Sequence, residues 1–127
     1  MTDTFDPATP IYLQLAMRIQ RQILRGVLKS GDKLPSVRET AVQSGVNPNT
    51  VQRTYRELEG MKIVESRRGQ GTFVTEDQNV LQDMREALKQ EEISRFVEGM
   101  KAMGYTDQEM ISGLKIFLTG GDADDHL

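Results

Sequence analysis

Between Ser36 and Asn49 the chain carries two helix starts separated by one glycine, and no other feature constrains its fold as strongly. Ser36 and Glu39 have capping-box spacing, in which each side chain satisfies a backbone N–H left free at a helix start. A short apolar set, Val37, Ala41 and Val42, follows, and Ser44-Gly45 ends it. Asn47-Pro48 then opens another helix: Asn47 caps it, and proline takes the first helical position, where its missing N–H is no loss. Val51, Tyr55, Leu58 and Met61, with Thr54 beside them, form its buried stripe. Two helices of about nine and about 14 residues joined by a short turn containing glycine make a helix-turn-helix.

The flanking segments complete a DNA-reading unit. Thr9-Pro10 predicts an earlier helix, with Thr9 as its cap and Pro10 at its first position. Ile11, Leu15, Ile19 and Ile23 recur every four residues, widened by Tyr12 and Ala16, while Arg18, Arg21 and Arg25 fall off the stripe and read as a solvated face. Gly26 and Lys29-Ser30-Gly31-Asp32 end that helix near residues 25–28. After Gly60 the period changes from helical to alternating. Residues 62–66 and 71–75 read as short strands around Arg67-Arg68-Gly69-Gln70. A strand, a basic glycine-containing loop and a second strand directly after a recognition helix form a wing. Gly69 and Gly71 allow close backbone approach there. They do not make a nucleotide loop, because they lie in a hairpin and lack a third glycine.

Charge agrees with this division. Residues 1–75 hold 11 Lys and Arg against 7 Asp and Glu, whereas residues 76–127 hold 5 against 12. A basic front and an acidic back suit a nucleic-acid reader with a separate second function. The recognition helix bears the side chains such work needs: Asn49, Gln52 and Arg53 project opposite Val51 and Tyr55, and Asn47 stands at its start. Asn and Gln pair bidentately with adenine, and Arg with guanine. Arg67 and Arg68 are placed to enter the minor groove or hold phosphates. Glu57, Glu59 and Glu65 repel phosphate and are expected to face away from the duplex.

These residues resemble the GntR family of bacterial regulators. The matching run is Pro10-Ile11-Tyr12 with Gln14-Leu15, Ile23, Gly26, Gly31-Asp32-Lys33-Leu34-Pro35-Ser36 and Arg38-Glu39. It continues through Gly45-Val46-Asn47, Thr50-Val51, Tyr55, Leu58, Gly60 and Gly69-Gln70-Gly71-Thr72-Phe73-Val74. The short helical C-terminal region further resembles the YtrA-like subfamily. The resemblance implies that Arg38 contacts DNA, and that the recognition-helix start and the wing add contacts from Asn47, Asn49, Thr50, Gln52 or Arg53, and from Arg68, Gly69 and Gln70. Pro48 stands where several relatives have arginine, so one contact is absent and their operator sequence cannot be borrowed.

The back half predicts two helices. One runs from Asn79 to about Met103 with Leu81, Met84, Leu88, Phe96, Val97, Met100 and Met103 as its apolar set; a slip at Glu91-Glu92 argues for a bend or a change of packing partner. Thr106 and Glu109 form a second capping box, and Met110, Ile111, Leu114, Phe117 and Leu118 line a final helix. About 50 residues cannot bury such stripes alone, so the same region of a second copy is the simplest cover. Leu81, Met84, Leu88, Phe96, Met100, Met110, Leu114, Phe117 and Leu118 are the expected homodimer interface. Met84, Met100, Met103 and Met110 read as core, with an adaptable effector pocket between subunits as the other reading.

The expected fold is thus α+β: a winged helix-turn-helix over residues 1–75, then a small all-α dimerisation and effector region over 76–121, and an acidic tail over 122–127, expected to be disordered. The expected function is sequence-specific transcription regulation, as a repressor binding an inverted repeat in double-stranded DNA as a homodimer. Control passes through the C-terminal helices, with a small-molecule effector as a candidate ligand. Other classes are disfavoured. With no cysteine and a single histidine, His126, in the tail, there is no metal site or cofactor to expect and no nucleophilic triad for an enzyme. An architectural DNA binder or helical adaptor fits the acidic tail and the base-reading side chains poorly. No stretch approaches the roughly 18 apolar residues of a membrane span, and the N-terminus lacks a secretion signal, so a cytoplasmic protein is expected.

Overall fold

The computed structural model describes residues 5–121. The chain divides into two compact units between Arg85 and Glu86, ten residues beyond the change of charge at residue 75.

The first unit begins with α1, Ile11–Leu24. Its N-cap is Pro10, which makes no side-chain cap, so the expected Thr9 hydroxyl cap is absent. Gln14 ties down the chain before the helix instead. Its Nε2 donates to the carbonyls of Asp6 and Thr9, and its Oε1 accepts from the Asp6 N–H. Leu15, Ala16, Ile19 and Ile23 are buried as their spacing predicts, but Ile11 at the helix mouth is exposed.

Helix α2, Val37–Ser44, starts at the full Ser36/Glu39 capping box and stops at Gly45, whose φ of 68° is left-handed. That conformation reverses the chain sharply enough for Asn47 to cap α3, Pro48–Gly60, two residues later. Val42 is not part of the apolar face. It is 77% exposed, and Thr40, Ala41 and Ser44 face inward. In α3, Val51, Thr54, Tyr55 and Leu58 are buried, while Met61 lies past the helix end and is exposed.

Strands β1, Val64–Arg67, and β2, Gly71–Val74, pair antiparallel with Val64 opposite Val74 and Arg67 opposite Gly71. The first begins later than expected because Lys62, at φ 66°, turns the chain out of α3. Residues 31–34 line the free edge of β2: Gly31 and Leu34 donate to Val74 and Thr72, and Val74 donates back to Asp32. Ile63, Val64 and Val74 then join Val51 and Leu58 in a core from which water is nearly excluded. At about 1.5–3 kcal/mol for each fully buried aliphatic side chain, this small cluster holds wing and helices together.

Helix α4, Gln78–Ala102, is one uninterrupted helix, so the apolar slip at Glu91-Glu92 does not break it. Met84, in the first unit near the division, is buried. In the second unit α5, Asp107–Leu118, follows the Thr106/Glu109 capping box. Met110 is its one buried side chain. Among the described residues no helix is long and apolar enough to cross a membrane. His126 and the expected tail lie outside the described residues.

Candidate nucleic-acid interface

The turn between α2 and α3 is fixed by a chain of buried hydroxyls. Tyr55 Oη donates to the Pro35 carbonyl at 2.7 Å and lies 2.7 Å from Thr40 Oγ1. The Ser44 hydroxyl donates to the Thr40 carbonyl at 2.5 Å. A phenol has one proton, so with that proton on Pro35 the Thr40 hydroxyl must donate to the phenol oxygen. Burial pushes the Tyr55 phenol above its ordinary pKa, opposed by the Thr40 hydrogen bond and aided by the charge of Glu39. Tyr55 is therefore part of the scaffold, not of the reading surface.

That scaffold presents Arg38 and the exposed face of α3. Arg38, the second residue of α2, is exposed and has no protein partner among the described residues. The Glu39 carboxyl beside it is engaged. It accepts from the Ser36 N–H at 2.9 Å, and this bond, then the Ser36 hydroxyl and the charge of Lys33, hold it below the ordinary value. On α3, Asn49, Gln52 and Arg53 are exposed and Thr50 is half-buried. Asn47 is partly engaged, since its Oδ1 accepts the Asn49 N–H at 2.7 Å, while its amide N–H donors carry no bond among the described residues. Arg53 lies over the Tyr12 ring at 3.8 Å.

Arg56 is not among the expected contacts. It is exposed without a partner among the described residues, and it falls on the same helical face as Asn49 and Gln52. Spacings of three and seven from Asn49 would have identified it.

The wing separates its two arginines. Arg68, Gly69 and Gln70 form the exposed tip. Arg67 is half-buried: its guanidinium lies 4.1 Å over Phe73, and Nη2 is 3.1 Å from Glu65 and 3.7 Å from Glu76. Arg67 braces the hairpin, and Arg68 is the wing's available cation. Gly71 allows Lys33 to cross the hairpin, because a Cβ there, at φ 120°, would lie 2.7 Å from Lys33 Cε. The surface that results is a recognition helix with its cap, an adjacent α2 arginine and a basic wing tip. It has the donors for phosphate and base edges. No group of acidic or histidine side chains among the described residues could hold a metal.

The pattern of bacterial regulatory proteins of the gntR family matches residues 11–74. The HTH-type transcriptional regulator YhcF of Bacillus subtilis is 49% identical over 121 residues, which cover 95% of this chain and 100% of that one. The HTH-type transcriptional repressor YtrA of the same organism is 49% identical over 70 residues, covering 55% of this chain and 54% of that one. Among solved structures, a GntR family transcriptional regulator from Listeria monocytogenes superposes with a TM-score of 0.82 at 36% identity, covering 87% of this chain and 97% of that chain. Sequence pattern, near-full-length identity and fold agree: the chain belongs to the GntR family, whose members are DNA-binding transcription regulators rather than enzymes.

Proposed function

We propose that the chain is a repressor that binds an inverted-repeat operator as a homodimer, and that its C-terminal helices control it. One observation carries the dimer. In the second unit, Ile93, Phe96, Val97, Met110, Ile111 and Leu114 line an open apolar groove of about 610 Å³, and Phe117 and Leu118 beyond it are 82% and 74% exposed. A single copy leaves this face in water, and a two-fold axis covers it twice over with the same residues. Of the expected interface residues, Phe96, Leu114, Phe117 and Leu118 are exposed and Leu81, Leu88 and Met100 are half-buried; Met84 and Met110 are buried within the single chain. A small apolar effector entering the groove alters that packing. Helix α4 has residues in both units, and a change of packing along it is the proposed route of control.

The DNA contacts in this reading are Arg38, Asn49, Thr50, Gln52, Arg53 and Arg56, with Asn47 through its amide and Arg68, Gly69 and Gln70 from the wing. Dimeric spacing places two such surfaces about one helical turn apart on the operator. Repression is favoured by the name of YtrA, a transcriptional repressor. The test is sedimentation of the full chain carrying Leu114→Gln and Phe117→Gln, paired with operator selection from a random pool. Monomers that bind half-sites weakly are expected. A dimer that survives both substitutions would refute this interface, and a recovered site without two-fold symmetry would refute the inverted repeat.

A further inference from the structure

Among the described residues three arginines lie over aromatic rings: Arg18 over Phe5 at 4.2 Å, Arg53 over Tyr12 at 3.8 Å and Arg67 over Phe73 at 4.1 Å from the centroid. A stacked guanidinium uses its face and keeps its five N–H donors in plane. The three differ in what those donors meet. Arg67 donates to Glu65 and pairs ionically with Glu76, and Arg18 has further interactions. Arg53 has only the ring among the described residues, so its donor fork is open to solvent.

The ring is itself held by the helix it serves. Tyr12 is the second residue of α1, and its carbonyl accepts from Thr54 Oγ1 at 2.9 Å. Thr54 is fully buried and adjoins Arg53 in sequence. On a helix of 3.6 residues per turn, Arg53 stands about 40° from Asn49 toward Thr54 and α1. Gln52 and Arg56 stand about 60° and 20° from Asn49 on the other side, toward Tyr55 and α2. Arg53 therefore stands off the row formed by Asn49, Gln52 and Arg56, on the side where the Tyr12 ring meets it.

We propose that Tyr12 is a positioning residue for DNA binding: its ring holds Arg53 at the flank of the recognition helix, fork outward, as a pre-ordered bidentate clamp for a DNA phosphate. The proposal rests on the reading that α3 faces the duplex. A free arginine surrenders rotamer freedom when it grips phosphate, and a stacked one has already done so. A phosphate contact positions the protein and carries no sequence information, so it must act alike on every duplex.

The experiment titrates the full chain against two duplexes over a salt series: an operator recovered by selection, and a scrambled sequence of equal length. Arg53→Ala should weaken both by the same factor and lower the salt slope by about one. Tyr12→Leu should weaken both about two- to five-fold, while Tyr12→Phe, which keeps the ring, should match the parent. The Tyr12→Leu/Arg53→Ala double variant should bind no worse than Arg53→Ala alone. Additive losses would show that the ring acts through something else. An unchanged slope in Arg53→Ala, or a loss confined to the operator, would overturn the phosphate clamp. If the parent's affinity for both duplexes is independent of salt, the DNA-facing reading of α3 fails first. Thermal melts confirm that each variant is folded, and Tyr12→Phe keeps the comparison valid should Tyr12→Leu unfold.

Discussion

Removing one oxygen from the centre of the helix-turn-helix should loosen the whole DNA-binding unit. In Tyr55→Phe the ring stays in place and two hydrogen bonds of 2.7 Å disappear, one to the Pro35 carbonyl and one from Thr40 Oγ1. Thr40 is buried, so its donor is left without water, at a cost of about 1–3 kcal/mol. Pro35 is half-buried and water can reach its carbonyl, which places the sum near ~2 kcal/mol rather than twice that. For a unit of this size that lowers the melting temperature by roughly 8–16 °C. The assay is urea denaturation of the parent, Tyr55→Phe, Thr40→Val and the double variant. The two single losses should overlap strongly in the double, because each removes the same bond. The pH dependence has a definite sign. The folded phenol titrates above its unfolded value, so its stabilisation is complete below about pH 10 and is lost as pH rises toward the folded value. Tyr55→Phe should flatten that alkaline limb. An unfolding free energy within about 0.5 kcal/mol of the parent, or fully additive losses, would refute the account of the turn as a hydroxyl-linked scaffold.

Two further outcomes follow from the local geometry. Ser36→Ala removes the α2 cap and should lower stability by about 1 kcal/mol. Glu39 titrates below its unfolded value in the folded chain, so the capping box contributes above the ordinary carboxylate range and is lost as pH falls through the folded value. Denaturation midpoints measured from about pH 3 to about pH 6 should therefore show a shallower acid limb in the variant; an identical limb would contradict this. Gly71→Ala meets both Lys33 and a backbone φ of 120° that a side chain rarely adopts. Lys33 can swing away but the backbone cannot, so Lys33→Ala should not rescue it, and hydrogen exchange at Thr72 and Val74 should accelerate; rescue would mean that crowding, not backbone strain, is the cause.

What the sequence disclosed was whatever depends on neighbours within a few residues. Both capping boxes, the Asn47-Pro48 start and the buried row Val51-Tyr55-Leu58 follow from spacing alone, and the structure contains all of them. The misplaced residues lie where a distant partner decides. Val42 fits an apolar face by type, but Thr40 and Ser44 turn inward because Tyr55 and the Thr40 carbonyl bind their hydroxyls. Thr9 has the chemistry of a cap, yet the helix starts one residue later, with Pro10 in the cap position. Met110 is buried as its reading as core expects, whereas Met103, read the same way, is 68% exposed. None of these contests is visible in a linear pattern.

The same distinction governs the arginines, and through them the function. Counting charges makes Arg67 and Arg68 equivalent, one residue apart in a basic loop. The register places Arg67 opposite Gly71 at the end of the ladder, where Phe73, Glu65 and Glu76 surround it, and leaves Arg68 at the tip with none of them. A cation already paired with two carboxylates has little to gain from a phosphate, because approaching DNA brings those carboxylates along. DNA contact therefore follows from unmatched donors rather than from basic composition. By that measure Arg38, Arg53, Arg56 and Arg68 are the unmatched arginines that α2, α3 and the wing offer to the proposed DNA contact. In a chain of net charge -3 the proposed phosphate-binding face is favoured because Glu39 is used in a cap, Glu65 and Glu76 in the brace around Arg67, and 12 of the 19 acids lie beyond residue 75.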